Sequence, residues 1–432
     1  MDQIPEVLPG ISLSIEQWEA LQAIEAFLQS QSKLYLLTGY AGTGKTTLLH
    51  ALIARLRSQN DNRSVVLTAF SNKATKVLRT MAAQWDLKVD CMTCCKLLGL
   101  KPVLDTATGD QVFETVRNQD NQVPNFRLVV VDECSMINQE MWKLLVNAVS
   151  RLDIMTQMLF VGDPAQLPPV NEDESCCFQQ IIHQSALNQV IRYGGAIGII
   201  ADDIRRNIER ERLPRYVNDV NEDKTEGFFT MPRDRWQQLL IRAFTSPKYK
   251  ADSNYIRVLA YTNRRVKQLN QMIRTAIYGD HLDEYVVGER LIANTPCLDD
   301  EAVLLQTSEE CEVIEIKRGK VENLPVWFLQ VYTEENEFRN LVVLQQQALP
   351  EFKQKLNEYA KTLQWEVFWA FKQRFHDVNY AYSLTVHKSQ GSTFQDVFVD
   401  LPNLMYNPKT IERNQLVYVA FTRAAKRLFV YQ

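Results

Sequence analysis

Short apolar runs recur along the chain, at 34–38, at 65–70 ("VVLTAF"), at 128–133 ("LVVVDE") and at 158–163 ("MLFVGD"). Between them the apolar positions return every three or four residues, as in "TLLHALIARL" and "MWKLLVNAV", which is helical spacing. Strands that alternate with helices predict a parallel sheet covered on both faces. A second set opens with "IRVLAYTN" at 256–263, pauses, and resumes with "AYSLTV" at 381–386, "VFVDL" at 397–401 and "RLFVYQ" at the end. The fold class expected is therefore α/β, with two parallel-sheet units, each interrupted by an insert.

The stretch 97–125 is polar and turn-rich, and reads as a hairpin. Between 285 and 375 the strand-like patches "CEVIEIK", "VWFLQVY" and "RNLVVLQ" precede a helical segment, which suits a small β-barrel with a helical appendage. In "WEVFWAFKQRF", Trp365, Phe368, Trp369 and Phe375 fall near one helical face, where core packing is the expectation. The chain contains no internal repeat and no low-complexity tract.

Composition changes this picture little. At 432 residues, a prior of about 150 residues per domain allows roughly three domains. The 48 basic and 52 acidic residues leave a net charge of -4, which does not advertise nucleic acid but permits a locally basic groove. No run approaches the roughly 18 apolar residues of a membrane span, and "MDQIPEVLPG" lacks a basic stretch leading into an apolar one, so a cytoplasmic protein with no membrane partner is expected. Of the eight cysteines, Cys91 and Cys94 have C-x-x-C spacing but no second pair, so reduced structural thiols are expected rather than a metal centre.

The candidate chemistry begins at "TGYAGTGKTT", a G-x-x-x-x-G-K-T loop between a strand and a helix. Gly39, Ala41, Gly42, Thr43, Gly44, Lys45, Thr46 and Thr47 are the expected ATP-binding residues. The loop backbone cradles phosphate, Lys45 neutralises the β- and γ-phosphates, and the Thr46 hydroxyl holds Mg²⁺. Asp132 and Glu133 follow the strand at 128–133, where Asp132 is placed to hold Mg²⁺ and Glu133 to activate water. Gln166, in "VGDPAQLPPV", is placed to sense the γ-phosphate. ATP and Mg²⁺ are the cofactors this set predicts.

Taken together, "GYAGTGKTT", "VDECSM", "VGDPAQLPPV", "TVHKSQGST" and "VYVAFTRA" resemble motifs I, II, III, V and VI of the superfamily 1 helicases, in order. The third and fourth are similar to the Dda, RecD and, more distantly, Pif1 branch, which moves 5′ to 3′. That resemblance implies two RecA-like domains, 1–96 with 126–190 and 191–284 with 376–432. It further implies a hairpin pin at 97–125 and an SH3-like barrel with a helical appendage at 285–375. By the same resemblance Gln17 reads adenine, and Arg192 and Arg423 are arginine fingers. Gln390 and Gly391 lie beside the nucleotide. The strand-facing candidates are Phe70, Ser71, Asn72, Thr93, Cys94, Asn263, Thr385, His387 and Lys388, with Phe113 on the pin. Relatives commonly carry Pro-Thr where this chain has Phe70 and Ser71, and Thr-x-His where it has Thr93, Cys94 and Cys95.

The activity implied is an ATP-dependent DNA helicase, a monomer acting on single-stranded and forked DNA. Single-strand-binding or replication and repair proteins are candidate partners. Two alternatives stand beside it: a translocase that acts on RNA or displaces proteins without unwinding, and a nucleotide-switched binding module.

Overall fold

A computed structural model of the chain describes residues 12–104, 111–115, 120–151, 153–189, 195–279, 283–299 and 303–432. Two six-stranded sheets dominate it. The first is wholly parallel, in the order Asp90–Thr93, Val65–Ala69, Leu128–Asp132, Gln157–Gly162, Leu34–Gly39, Gln184–Leu187. Its central strands are buried along their whole length, which is why they read as unbroken apolar runs instead of alternating ones. In this order the strand ending at Gly39 neighbours the one ending at Gly162, which neighbours the one ending at Asp132. Loop, "GDPAQ" turn and acidic pair therefore meet at one carboxyl edge of the sheet, where open α/β sheets place their ligands.

The second sheet runs Ser383–Thr385, Ile256–Ala260, Phe394–Val399, Ala424–Tyr431, Gly227–Met231, Asp219–Val220, parallel except for its last pairing. Strands Leu100–Leu104 and Gln111–Thr115 form an antiparallel hairpin whose tip lies outside the described residues. A five-stranded antiparallel sheet contains Glu310–Val321, Leu324–Thr333 and Phe338–Leu344, and is continued on its other side by Arg290–Ala293 and Val378–Tyr380; among the described residues its two end strands do not pair with each other, so it is an open sheet where a barrel was expected. Its core holds Leu291, Val313, Trp327, Leu329, Val331 and Leu341. Helices Leu349–Lys361 and Trp365–Gln373 pack on one end of it through Phe352, Phe371 and Phe375. Trp369 and Phe375 are buried as the helical pattern predicts, but Trp365 is 44% exposed, because the face is centred on Phe371 instead.

All three bodies meet at one carboxylate. Glu310, fully buried on the antiparallel sheet, receives Lys73 Nζ from the first unit at 2.7 Å and Arg257 from the second at 3.0 Å. Arg290 of its own sheet approaches to 3.4 Å. Burial alone would push this carboxyl up, yet the Arg257, Lys73 and Arg290 charges hold it well below the usual carboxylate range. Next to it, Asn72 Nδ2 donates to Glu309 Oε2 at 2.8 Å. Removing one partner of a buried ion cluster strands the others, so Glu310→Ala is expected to destabilise the chain by about 3–5 kcal/mol in urea unfolding.

Candidate nucleotide and strand site

The loop at 39–46 is held open by its glycines. Gly42 and Gly44 have φ of 81° and 80°, conformations that side chains with a Cβ resist. Gly44 caps the helix Lys45–Ser58, so the helix N-terminus faces the loop cavity. Lys45 Nζ folds back onto the carbonyl oxygens of Gly39 at 2.6 Å and Tyr40 at 3.1 Å. Those two oxygens give the ammonium the acceptors that a phosphate supplies better. Gln17 is buried, with its amide donating to the carbonyls of Thr43 at 3.1 Å and Gly44 at 3.4 Å. Its Oε1 accepts the Ser14 N–H at the start of its own helix, so the side chain ties that helix N-terminus to the loop.

Across the carboxyl edge, Glu133 sits at φ 53°, a strained conformation for a residue with a side chain. Its Oε2 is buried without a partner, as are Gln166 Oε1 and Ser135 Oγ. Buried polar atoms normally find partners, and orphans at the carboxyl edge of the sheet are what a group bound there would satisfy. Burial and the neighbouring Glu133 push the Asp132 carboxyl up to about 7, while Lys45 draws it down. An acid this short of positive charge, with the Thr46 hydroxyl on the facing helix, forms the hard oxygen set that suits Mg²⁺. Asp132 and Thr46 would hold that ion, which would supply charge neutralisation to the phosphates.

The second unit closes the cleft. Tyr418, on helix Thr410–Thr422, accepts the Ala41 N–H at 2.9 Å and donates to Asp163 Oδ2 at 2.8 Å. Arg205, on helix Ala196–Arg206, places its guanidinium 3.6 Å from the Tyr40 ring centre, with Nε buried and unpartnered. Gln390 Nε2 donates to the Leu167 carbonyl at 3.3 Å. Leu167 itself is buried in the apolar cluster of the second unit, against which Ala41 and Ala165 also pack.

A model of an AAA domain family matches residues 12–219, and one of a UvrD-like helicase C-terminal domain matches 380–431. The ATP-dependent DNA helicase dda of Enterobacteria phage T4 is 24% identical, over 96% of this chain and 98% of its own. The RecD subunit of the RecBCD enzyme of Buchnera aphidicola is 22% identical over 95% of this chain and 72% of its own. The two family models and these relatives together indicate a helicase of superfamily 1. In fold, this helicase is similar to a crystal structure of Pif1 helicase from Bacteroides in complex with ADP-AlF3 and ssDNA. The TM-score is 0.51 at 16% identity, over 97% of this chain and 92% of that one. The Pif1 helicase from Candida albicans gives 0.50 at 18%, over 98% and 94%.

The remaining sequence-derived residues of this helicase divide by where the fold puts them. Arg423 is buried, and its guanidinium binds the carbonyls of Val419 at 3.2 Å and Ser392 at 3.1 Å inside its own unit; Tyr418, five residues earlier, is the residue that crosses. Arg192 lies outside the described residues. Gly391, at φ 72°, faces the helix Asn72–Gln84: a Cβ there would stand 3.1 Å from that of Ala74, so it serves close approach of the two units. Ser71 caps the same helix through the Ala74 N–H, and Phe70 packs partly buried on the first core.

Four of the strand-facing candidates have side chains engaged within the protein. The Cys94 side chain is wholly buried, with Sγ 3.9 Å from Thr68 Oγ1. Thr93 is buried and spends its hydroxyl capping a short helix through the Lys96 N–H. Asn72 Nδ2 donates to Glu309, while its Oδ1 is buried without a partner. Phe113 lies along the hairpin, opposite Pro102, and packs on the first core, away from the tip. Asn263, by contrast, is exposed at the start of helix Asn263–Tyr278. Thr385 ends its strand buried, accepting the Lys388 N–H at 3.4 Å. His387 and Lys388 are half-buried, both drawn down by burial, and Lys388 Nζ reaches Asn294 at 2.6 Å. All eight cysteines are free. Among the described residues no helix is long and apolar enough to cross a membrane.

Sequence reasoning passed over Tyr418, Asp163 and Arg205. The first two stood inside quoted motifs, whereas nothing in the sequence singles out Arg205. Glu133→Gln removes a carboxylate whose Oε2 is buried without a partner, so it should still bind ATP while turnover falls about 100-fold or more, read by steady-state hydrolysis beside nucleotide binding.

Proposed function

We propose that this helicase couples Mg-ATP hydrolysis to 5′-to-3′ movement on single-stranded DNA and so unwinds duplex. The observation that carries the reading is the cleft itself. Lys45 is held on carbonyl oxygens, the acceptors of Glu133 and Gln166 are unpartnered, and a helix of the second unit meets the loop through Tyr418.

In this reading the loop N–H groups and Lys45 bind the phosphates, Glu133 takes a proton from the attacking water, and Gln166 orients that water. Arg423, released from Ser392 and Val419 as the cleft tightens, supplies positive charge to the leaving phosphate. A γ-phosphate joined to both units favours the closed cleft, and its loss frees them to separate. The strand lies across the two sheets, on the side where Asn263, His387 and Lys388 reach the surface, and the hairpin at 97–125 stands where the duplex divides. Binding through phosphates fits an acidic chain, because only the groove needs to be basic. The relatedness to Dda and RecD supports the direction; the partners expected are single-stranded and forked DNA.

The test is unwinding of a short duplex carrying either a 5′ or a 3′ single-stranded tail, with DNA and RNA tails in parallel. The expected outcome is opening of the 5′-tailed DNA substrate alone. Opening of only the 3′-tailed substrate would overturn the direction, and preference for RNA tails would favour the translocase reading.

A further inference from the structure

Resting on the proposed ATP-driven function, we infer that Tyr418 is the positioning residue through which the second unit sets the geometry of the hydrolytic turn. Its side chain is 1% exposed, and its hydroxyl is shared among three parts of the molecule. It accepts the N–H of Ala41, inside the phosphate loop, at 2.9 Å, and donates to Asp163 Oδ2 at 2.8 Å, while the ring belongs to the second unit's core.

Asp163 passes this contact onward. Its other oxygen, Oδ1, accepts the Ala165 N–H at 2.9 Å, and its carbonyl accepts the Gln166 N–H at 3.1 Å. The carboxylate that Tyr418 holds is therefore the one that shapes the turn bearing Gln166, whose amide oxygen is buried and unpartnered. One hydroxyl thus fixes the phosphate loop relative to the turn that presents Gln166. Separation of the two units breaks both of its hydrogen bonds together and leaves Asp163, itself fully buried, without the Tyr418 donor. Arg423 closes the same helix, so a shift that carries Tyr418 away from the loop carries the candidate arginine finger with it. Tyr418 touches no substrate in this scheme; it acts through Ala41 and Asp163.

A purely structural role would be met by the ring alone, and Tyr418→Phe keeps the ring. The experiment measures kcat and KM for ATP in the full chain at saturating single-stranded DNA, for the unaltered protein, Tyr418→Phe, Asp163→Asn and the double variant, with thermal melts to confirm folding. Loss of one hydrogen bond to a charged group predicts a fall in kcat of about tenfold or more in Tyr418→Phe, with KM moved by less than about threefold. The double variant should fall no further than the worse single one, because both substitutions remove the same link. Unchanged kcat in Tyr418→Phe, a change in KM alone, or single effects that multiply in the double variant would each overturn the inference. Absence of strand-stimulated turnover in the unaltered chain would instead overturn the functional reading on which it rests.

Discussion

A phosphate-binding loop placed between two sheets has to be dry enough for its charges to matter and yet keep its donors free for an anion. Water excluded from such a cavity cannot satisfy the backbone N–H groups or Lys45, and a buried donor left unmet costs about 1–3 kcal/mol. The chain resolves the conflict with internal acceptors. Lys45 rests on the carbonyls of Gly39 and Tyr40, the Thr43 N–H on Tyr40, and the Ala41 N–H on the hydroxyl of Tyr418. Of these acceptors, only Tyr418 belongs to the other unit. Occupancy of the loop and apposition of the sheets are therefore linked through ordinary hydrogen-bond accounting, with no need for a special relay.

The acidic side of the cleft answers the same constraint with the opposite sign. Asp132, Glu133 and Asp163 crowd a buried edge where Lys45 is the cation that draws Asp132 and Asp163 down, and burial pushes both of these carboxyls up. A divalent cation with a nucleotide relieves that crowding. Away from the cleft, the junction around Glu310 ties all three bodies through buried charge, so the seam has one region rich in ion pairs and another that awaits its ligand. Hinging about the first while the second opens and closes is the motion this distribution of contacts favours.

The sequence made much of this legible, and the reasons it stopped are physical. Central strands such as Leu128–Asp132 are buried on both faces and announce themselves as apolar runs, and the loop at 39–46 is specific because few other backbones need glycine at those positions. Edge strands such as Gln184–Leu187 are short and half polar, and they escaped notice. Cys94 and Thr93 look like surface residues of a motif, yet the turn that carries them faces the core. Asn72 was legible as a polar residue after a strand, but its partner Glu309 lies 237 residues away, and no local pattern carries such a pairing. The same holds for Tyr418, which meets Ala41 across 377 residues.

The central claim is that nucleotide state controls how closely the two sheets meet across the phosphate loop. Resonance energy transfer between dyes at Val77 and Ile411, exposed by 42% and 49% on helices of opposite units, reads that separation directly. With single-stranded DNA bound, transfer should change on addition of a non-hydrolysable ATP analogue with Mg²⁺, return toward the nucleotide-free value with ADP, and lose this response in Lys45→Ala. Identical transfer in all nucleotide states would contradict the account.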